Sequence, residues 1–251
     1  MSTYAALTRA SYKATVRDAT TLFFTFAFPL VFLVIFGLIF RGREVADTGH
    51  GYVDFIAPGV LSWGLASAAL FGVAFTLMQW RADDLLRIIR LSPASILSVV
   101  GSRYVVALGI GVAQSLLFVG VAMLPVFGMR PDPTWPLALP VMLLAVTSFL
   151  ALGLIVGSRA NTPEAVAGIA NFIVVPMAFL SGSFYPLELM PDWLQAISRA
   201  LPLRYVNDGM AYALSGQGDM NDYLLACGAL VGYSVVFAVI GVRTFRWSND
   251  S

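Results

Sequence analysis

The sequence predicts an all-α integral membrane fold: six transmembrane helices with both termini cytoplasmic, an N-terminal interfacial helix, and short extracellular helices between the fifth and sixth spans. Three observations predict it. First, of 251 residues 59% are hydrophobic and only 12% charged, against about 45–50% and about 25% in soluble domains, and mean hydropathy is +0.82. A domain this small keeps much of its surface exposed, so lipid is the natural solvent for the excess. Second, six segments reach the roughly 20 apolar residues that cross a bilayer. Third, the basic residues divide unevenly between alternate loops.

Residues 1–20 come first. Arg9, Lys13 and Arg17 recur every fourth residue, so a helix gathers them in one cationic stripe opposite Leu7, Ser11 and Ala14. That pattern suits a helix lying on anionic headgroups; ordinary flanking charge is the plainer alternative. The predicted spans are 21–40, 55–78, 104–127, 136–157, 165–185 and 223–242. Pro125, Pro131, Pro133, Pro136 and Pro140 crowd the junction of the third and fourth, which reads as a tight hairpin. No cleavable leader is expected, because a charged stretch precedes the first apolar run and no small-residue cleavage site follows it.

With the N-terminus inside, Arg9, Lys13, Arg17, Arg81, Arg87, Arg90, Arg103, Arg159, Arg243 and Arg246 fall on the cytoplasmic side. Only Arg41, Arg43, Arg130, Arg199 and Arg204 fall outside. That bias places both termini in the cytoplasm. In the longest cytoplasmic loop, residues 83–92 have helical spacing. Asp83 precedes Arg87 by four, the favourable order on a helix, and Pro93 ends the run. A solvated loop with a surface ion pair is the equal alternative. Outside, residues 186–215 read as two short helices. Pro191 can open the first, whose apolar face would be Trp193, Leu194, Ile197 and Leu201; the second would carry Val206, Met210 and Leu214.

Several chemistries are excluded. The lone lysine, Lys13, follows Tyr12, so there is no phosphate-binding loop. One cysteine, Cys227, and one histidine, His50, exclude a disulfide framework and a cysteine or histidine metal cluster. Neither a serine-nucleophile elbow nor a zinc-protease motif is present. The span cores contain no Asp, Glu, Lys or Arg, which argues against ion-coupled transport. What remains is mild polarity: Ser62, Gln114, Ser115, Thr147, Ser148, Asn171 and Ser181. Such groups most often bond across helices. Gly153-xxx-Gly157 and Gly228-xxx-Gly232 permit close helix approach.

Four stretches carry a family likeness. They are Phe26 to Gly37, with Pro29 and Phe36-Gly37; Tyr52 to Val60, with Asp54 and Pro58-Gly59; Arg87 to Ser95, ending Leu91-Ser92-Pro93-Ala94-Ser95; and Phe179 to Leu194, with Ser181-Gly182, Tyr185-Pro186, Glu188 and Pro191, followed by Leu201-Pro202-Leu203. In this order they resemble the type-2 ABC export permeases, the group that includes daunorubicin-resistance, nodulation-factor and polysaccharide exporters. One departure is that many members carry a glycine before the leucines of the third stretch, where this chain has Asp84.

The resemblance implies a permease subunit that pairs with an identical or homologous second permease and with two copies of an ABC ATPase. It also implies that ATP and magnesium are held by the partner, with no cofactor and no enzyme activity in this chain. Asp83, Asp84, Arg87, Arg90 and Leu91 would form a coupling helix seated in the ATPase. Ser62, Phe71, Asn171 and Phe179, on the second and fifth spans, become candidates for substrate contact. Ser181, Gly182, Tyr185, Pro186 and Glu188 would form an extracellular gate. The expected cargo is an amphipathic drug or lipid-like molecule, the expected home a prokaryotic cytoplasmic membrane; membrane lipids are partners and nucleic acid is not. A secondary transporter and a non-transporting membrane scaffold are the alternatives that composition leaves open.

Overall fold

The computed structural model describes residues 3–40, 51–85 and 96–245. Among them are nine α-helices and no β-strand: α1 (Thr3–Arg17), α2 (Ala19–Ile39), α3 (Tyr52–Ala82), α4 (Ile96–Ala122), α5 (Ala138–Arg159), α6 (Pro163–Leu180), α7 (Asp192–Ser198), α8 (Pro202–Ser215) and α9 (Met220–Thr244). Short 3-10 turns precede α5 and α7. Six helices are long and apolar enough to cross a bilayer: α2, α3, α4, α5, α6 and α9.

The bundle is built around α3 and α5. Two thirds of each is buried within the subunit, whereas α2, α4, α6 and α9 keep most of their surface outward. A helix apolar on all sides belongs in the interior of a bundle. At 31 residues, α3 is about 46 Å long, which exceeds the roughly 30 Å hydrocarbon layer. It meets α5 at a glycine seam. A Cβ on Gly157 would lie 2.7 Å from the Ala74 carbonyl oxygen, and one on Gly153 would lie 2.5 Å from that of Leu70. Gly228 and Gly232 on α9 meet nothing within 4 Å, so that second glycine pair is unused inside this subunit. The α5–α9 contact relies on hydroxyls instead: Ser148 Oγ lies 2.7 Å from Ser234 Oγ and donates to the Leu230 carbonyl at 3.1 Å.

Proline leaves a defined mark on two spans. Pro29 has no N–H, so the Thr25 carbonyl of α2 loses its normal partner four residues on. Gln114 Nε2 of α4 donates to that oxygen at 3.1 Å. Pro58 strands the Asp54 carbonyl of α3 in the same way. Ser215 Oγ (2.6 Å) and Gln217 Nε2 (3.0 Å), at the end of α8, supply the missing donors. Unsatisfied backbone is costly where water is absent, and at Pro29 and Pro58 polar side chains from other elements offset that cost.

The third span lies nearer the N-terminus than the sequence predicts: α4 ends at Ala122, not at 127. Pro125 disfavours a helical Leu124, and α1 extends the helix backwards by packing on its first turns, where the Tyr4 hydroxyl donates to the Gly101 carbonyl at 3.2 Å. The junction with α5 is a folded loop over 123–134 rather than a tight hairpin. Asp132 N–H donates to the Leu214 carbonyl at 3.0 Å, and Thr134 Oγ1 donates to that of Tyr212 at 3.2 Å. These bonds hold the loop on the end of α8.

The fifth span ends early too, at Leu180 instead of 185. Gly182 adopts φ +83° and turns the chain back, so that Ser183 N–H donates to the Ala178 carbonyl at 3.2 Å.

Of the two helices expected over 186–215, α7 leaves Trp193 and Ile197 exposed. In contrast, α8 buries Val206, Asn207, Met210 and Leu214 against α3, α5 and α9. It is a core element rather than a surface cap. On α1, Arg9, Lys13 and Arg17 are exposed, while Ser11 is buried and Leu7 packs inward.

Candidate functional site

The residues singled out in the sequence lie at the two ends of α3 and along α6. At one end, Arg81 closes α3 in the last turn before the expected coupling segment. The residue is 3% exposed. It donates through Nη1 to the Ser158 carbonyl (2.5 Å), and through Nη2 to the Ala160 carbonyl and to Asn161 Oδ1 (3.1 Å). The planar fork suits several acceptors at once. Arg81 thus fastens the base of α3 to the α5–α6 turn.

Beyond Arg81, Asp83 caps the helix, and Asp84 adopts φ +54°. That is the left-handed conformation in which helices commonly end, usually on glycine and sometimes on a short polar residue. The departure from the family pattern at this position therefore has a backbone reason, since glycine and aspartate are both tolerated there. Arg87, Arg90 and Leu91 lie outside the described residues.

At the other end of α3, the Ser181–Tyr185 segment folds inward as a wedge. Its backbone presses on Gly59, where a Cβ would lie 2.5 Å from the Ser183 carbonyl oxygen. No side chain fits at that crossing. Asn207 of α8, 6% exposed, secures the wedge by donating through Nδ2 to the Ser181 carbonyl (2.7 Å) and to Ser183 Oγ (2.9 Å). Phe184 then enters an aromatic cluster, with ring centroids 5.3 Å from Phe32, 5.3 Å from Trp63 and 5.4 Å from Phe179. Rings at that spacing contribute about 0.5–1.5 kcal/mol per pair beyond their burial. Three helices, α2, α3 and α6, are joined through this one phenylalanine.

Of the expected gate residues, Ser181 is fully buried, Gly182 makes the turn, Pro186 is half-buried and Tyr185 is 47% exposed. Glu188 sits in the 3-10 turn before α7. The four expected substrate contacts do not form one surface. Asn171 and Phe179 lie on an exposed stripe of α6 shared with Val175, at four-residue spacing. Phe71 is half-buried and stacks on Phe75. Ser62 is sealed inside, and its hydroxyl donates to the Pro58 carbonyl at 2.7 Å.

Sequence reading did not single out Asn207, the cradle at Gly59, or the Arg81 fork as site features. A buried amide and a basic residue at a span boundary are visible signals, but their partners lie 24 to 80 positions away. No group of residues able to hold a metal ion occurs among the described residues.

Comparison with known proteins gives one family. The profile described as ABC-2 type transporter matches residues 3–214. The chain is 27% identical over 213 residues to the inner membrane transport permease YadH of Escherichia coli K12, covering 84% of this chain and 81% of that protein. It is 29% identical over 238 residues to the daunorubicin resistance ABC transporter permease protein DrrB1 of Streptomyces coeruleorubidus, covering 88% and 78%. It is 28% identical over 202 residues to nodulation protein J of Rhizobium leguminosarum bv. viciae, covering 79% and 76%.

Proposed function

The chain belongs to the ABC-2 type transporter family, a family of multi-pass cytoplasmic-membrane permeases that generally work with an ABC ATPase, and from that premise we propose that it is the permease subunit of an exporter of amphipathic, drug-like or lipid-like molecules. The observation that carries this is the family match over residues 3–214. The similarity to a daunorubicin resistance permease supports the cargo class, as do span cores without charge.

Both termini lie in the cytoplasm on this reading. A second permease, identical or homologous, and two ATPase subunits complete the transporter, with ATP and magnesium bound in the ATPase. Asp83, Asp84, Arg87, Arg90 and Leu91 dock on that ATPase. Arg81 supports this assignment, because a push on the segment that follows α3 reaches the α5–α6 turn through one rigid fork. At the outer end the gate comprises Ser181, Gly182, Tyr185, Pro186 and Glu188, and its Ser181–Tyr185 wedge packs on the same helix at Gly59. A displacement of α3 along its axis therefore acts on both the coupling face and the exit. The substrate path runs along α3 and α6, past Phe71, Asn171 and Phe179. Ser62 joins it only in a state where the helices around it part.

The test is purification of the tagged chain in mild detergent from its native membrane, with identification of what co-purifies. A stoichiometric ATPase that is lost when Asp83, Asp84, Arg87 and Arg90 are replaced together by alanine is the expected result. A chain that emerges without an ATPase, under conditions that preserve other membrane complexes, refutes the reading. Alanine at Phe71, Asn171 and Phe179 together is expected to lower export while leaving the ATPase bound.

A further inference from the structure

Arg103 stands on the first turns of α4, inside the apolar stretch Val100–Ala122. It lies at the end of that stretch, where an arginine reaches headgroup level and ordinarily finds an anionic partner. This guanidinium lies over the Trp80 ring, 4.6 Å from its centroid. Its Nε is buried with no hydrogen-bond partner, and among the described residues the ion pair Arg204–Asp208 is elsewhere, on α8. Among the described residues no carboxylate pairs with it.

Beside it is a cavity of about 60 Å3 between α2, α3, α4 and α5, in the half of the bundle nearest Arg81. Its walls are apolar except for Arg103 and the hydroxyls of Thr15, Thr21 and Thr25. Gly72 opens one side, where a Cβ would meet nothing within 4 Å. A recess of about 10 Å3 shares Arg103 and runs along Trp80 and Phe245.

We propose that this cavity is a binding site for an anionic phospholipid of the surrounding leaflet, with the phosphate on Arg103 and one acyl chain in the slot beside Gly72. Three features select that occupant. Guanidinium pairs with phosphate through parallel hydrogen bonds, and among the described residues Arg103 is the one cationic residue lining the cavity. The cavity is too small to enclose a whole amphiphile, so the remainder must lie in the bilayer, as a lipid's second chain does. Finally, Thr15 places α1 at the mouth, and α1 presents exposed Lys13 and Arg17 on the same end of the molecule, which attracts anionic headgroups. The site lies within one subunit, away from the exposed stripe of α6, and does not depend on the transport reading.

The experiment is native mass spectrometry of the purified full chain after equilibration with equimolar phosphatidylglycerol and phosphatidylcholine. The wild type is expected to retain phosphatidylglycerol preferentially. Arg103→Gln is expected to lower that preference about tenfold, the size of one charge-assisted hydrogen bond, with Arg103→Lys in between. Gly72→Leu puts a side chain into the slot from a position where a Cβ meets nothing within 4 Å, and is expected to lower retention of both lipids while helicity and thermal midpoint hold. An unchanged lipid ratio in Arg103→Gln overturns the proposal. If that variant fails to fold, Gly72→Leu alone decides, and wild-type retention in it shows the lipid to be annular and overturns the proposal equally.

Discussion

Gln114 offers a measurement that isolates one physical cause. Pro29 removes the donor that the Thr25 carbonyl would have used, and Gln114 Nε2 replaces it at 3.1 Å. The side chain is 2% exposed, and its Oε1 is buried without a partner. Replacing Gln114 by leucine has two consequences. It leaves the Thr25 oxygen unpaired, which costs about 1–3 kcal/mol. It also removes an unpaired amide oxygen, which offsets part of that cost. The single variant is therefore expected to lose about 1 kcal/mol, a value that alone would say little.

The informative quantity is the cycle with Pro29→Ala. Alanine restores the N–H at position 29 and closes the bond to Thr25 within α2. In that background Gln114→Leu loses nothing to an orphaned carbonyl and gains from removing the amide. The two substitutions should be non-additive by about 1–2 kcal/mol, in the range found for contacting groups. Thermal or denaturant unfolding in one detergent, on all four proteins, measures it. Additivity within about 0.5 kcal/mol would refute the idea that Gln114 is retained for the proline.

Four further outcomes are expected. Gly157→Ala places a Cβ 2.7 Å from the Ala74 carbonyl oxygen and should destabilise by about 1–3 kcal/mol, whereas alanine at Gly228 or Gly232 should cost the isolated subunit nothing; equal midpoint shifts at the two pairs would contradict the seam. Arg81→Met orphans the buried acceptors at Ser158, Ala160 and Asn161 and should cost about 2 kcal/mol or more, and Arg81→Lys should recover little because an ammonium cannot span them, as thermal midpoints will report. Asp84→Gly should leave stability near wild type, while Asp84→Val should lower it by about 1–2 kcal/mol; equal midpoint losses in the two variants would mean that the carboxylate, not the left-handed turn, is what stabilises this helix end. Asp132 accepts from the hydroxyl and N–H of Thr134, which holds its carboxyl below the usual range. A depressed folded value means that its stabilisation is present above the unfolded pKa and is lost as pH falls through the folded one. Protection of the Asp132 amide, corrected for intrinsic exchange, should therefore fall below about pH 4 and lose that dependence in Asp132→Asn.

How much of this was legible in the sequence follows from which interactions are local. Hydropathy is a property of each segment by itself, so six spans could be read directly. Their ends could not, because they are decided by contacts. Apolar residues precede Ser181-Gly182-Ser183 and resume at Phe184, so hydropathy does not mark the stop at Leu180, although Gly182 is the kind of residue on which helices end. The stop depends on Gly182 turning back, and the turn persists because Gly59, over a hundred positions earlier, leaves room for its backbone. Pro29 and Pro58 were visible as family landmarks, but their consequence was not. A proline deletes a donor at a known place, and only the fold reveals whether Gln114, or Ser215 with Gln217, supplies another.

The two small-residue pairs make the same point. Gly153-xxx-Gly157 and Gly228-xxx-Gly232 are indistinguishable as patterns, yet only the first faces another helix within the subunit. The candidate site divides likewise. Asn171 and Phe179, named from the family resemblance, are exposed, because α6 meets α3 with one face only. Ser62, named on the same ground, is not: α3 is enclosed on every side at that level, and its hydroxyl is bonded within its own helix. What a pattern reports is the face a residue shares with its neighbours in the chain; which faces remain open is settled by the helices packed around it.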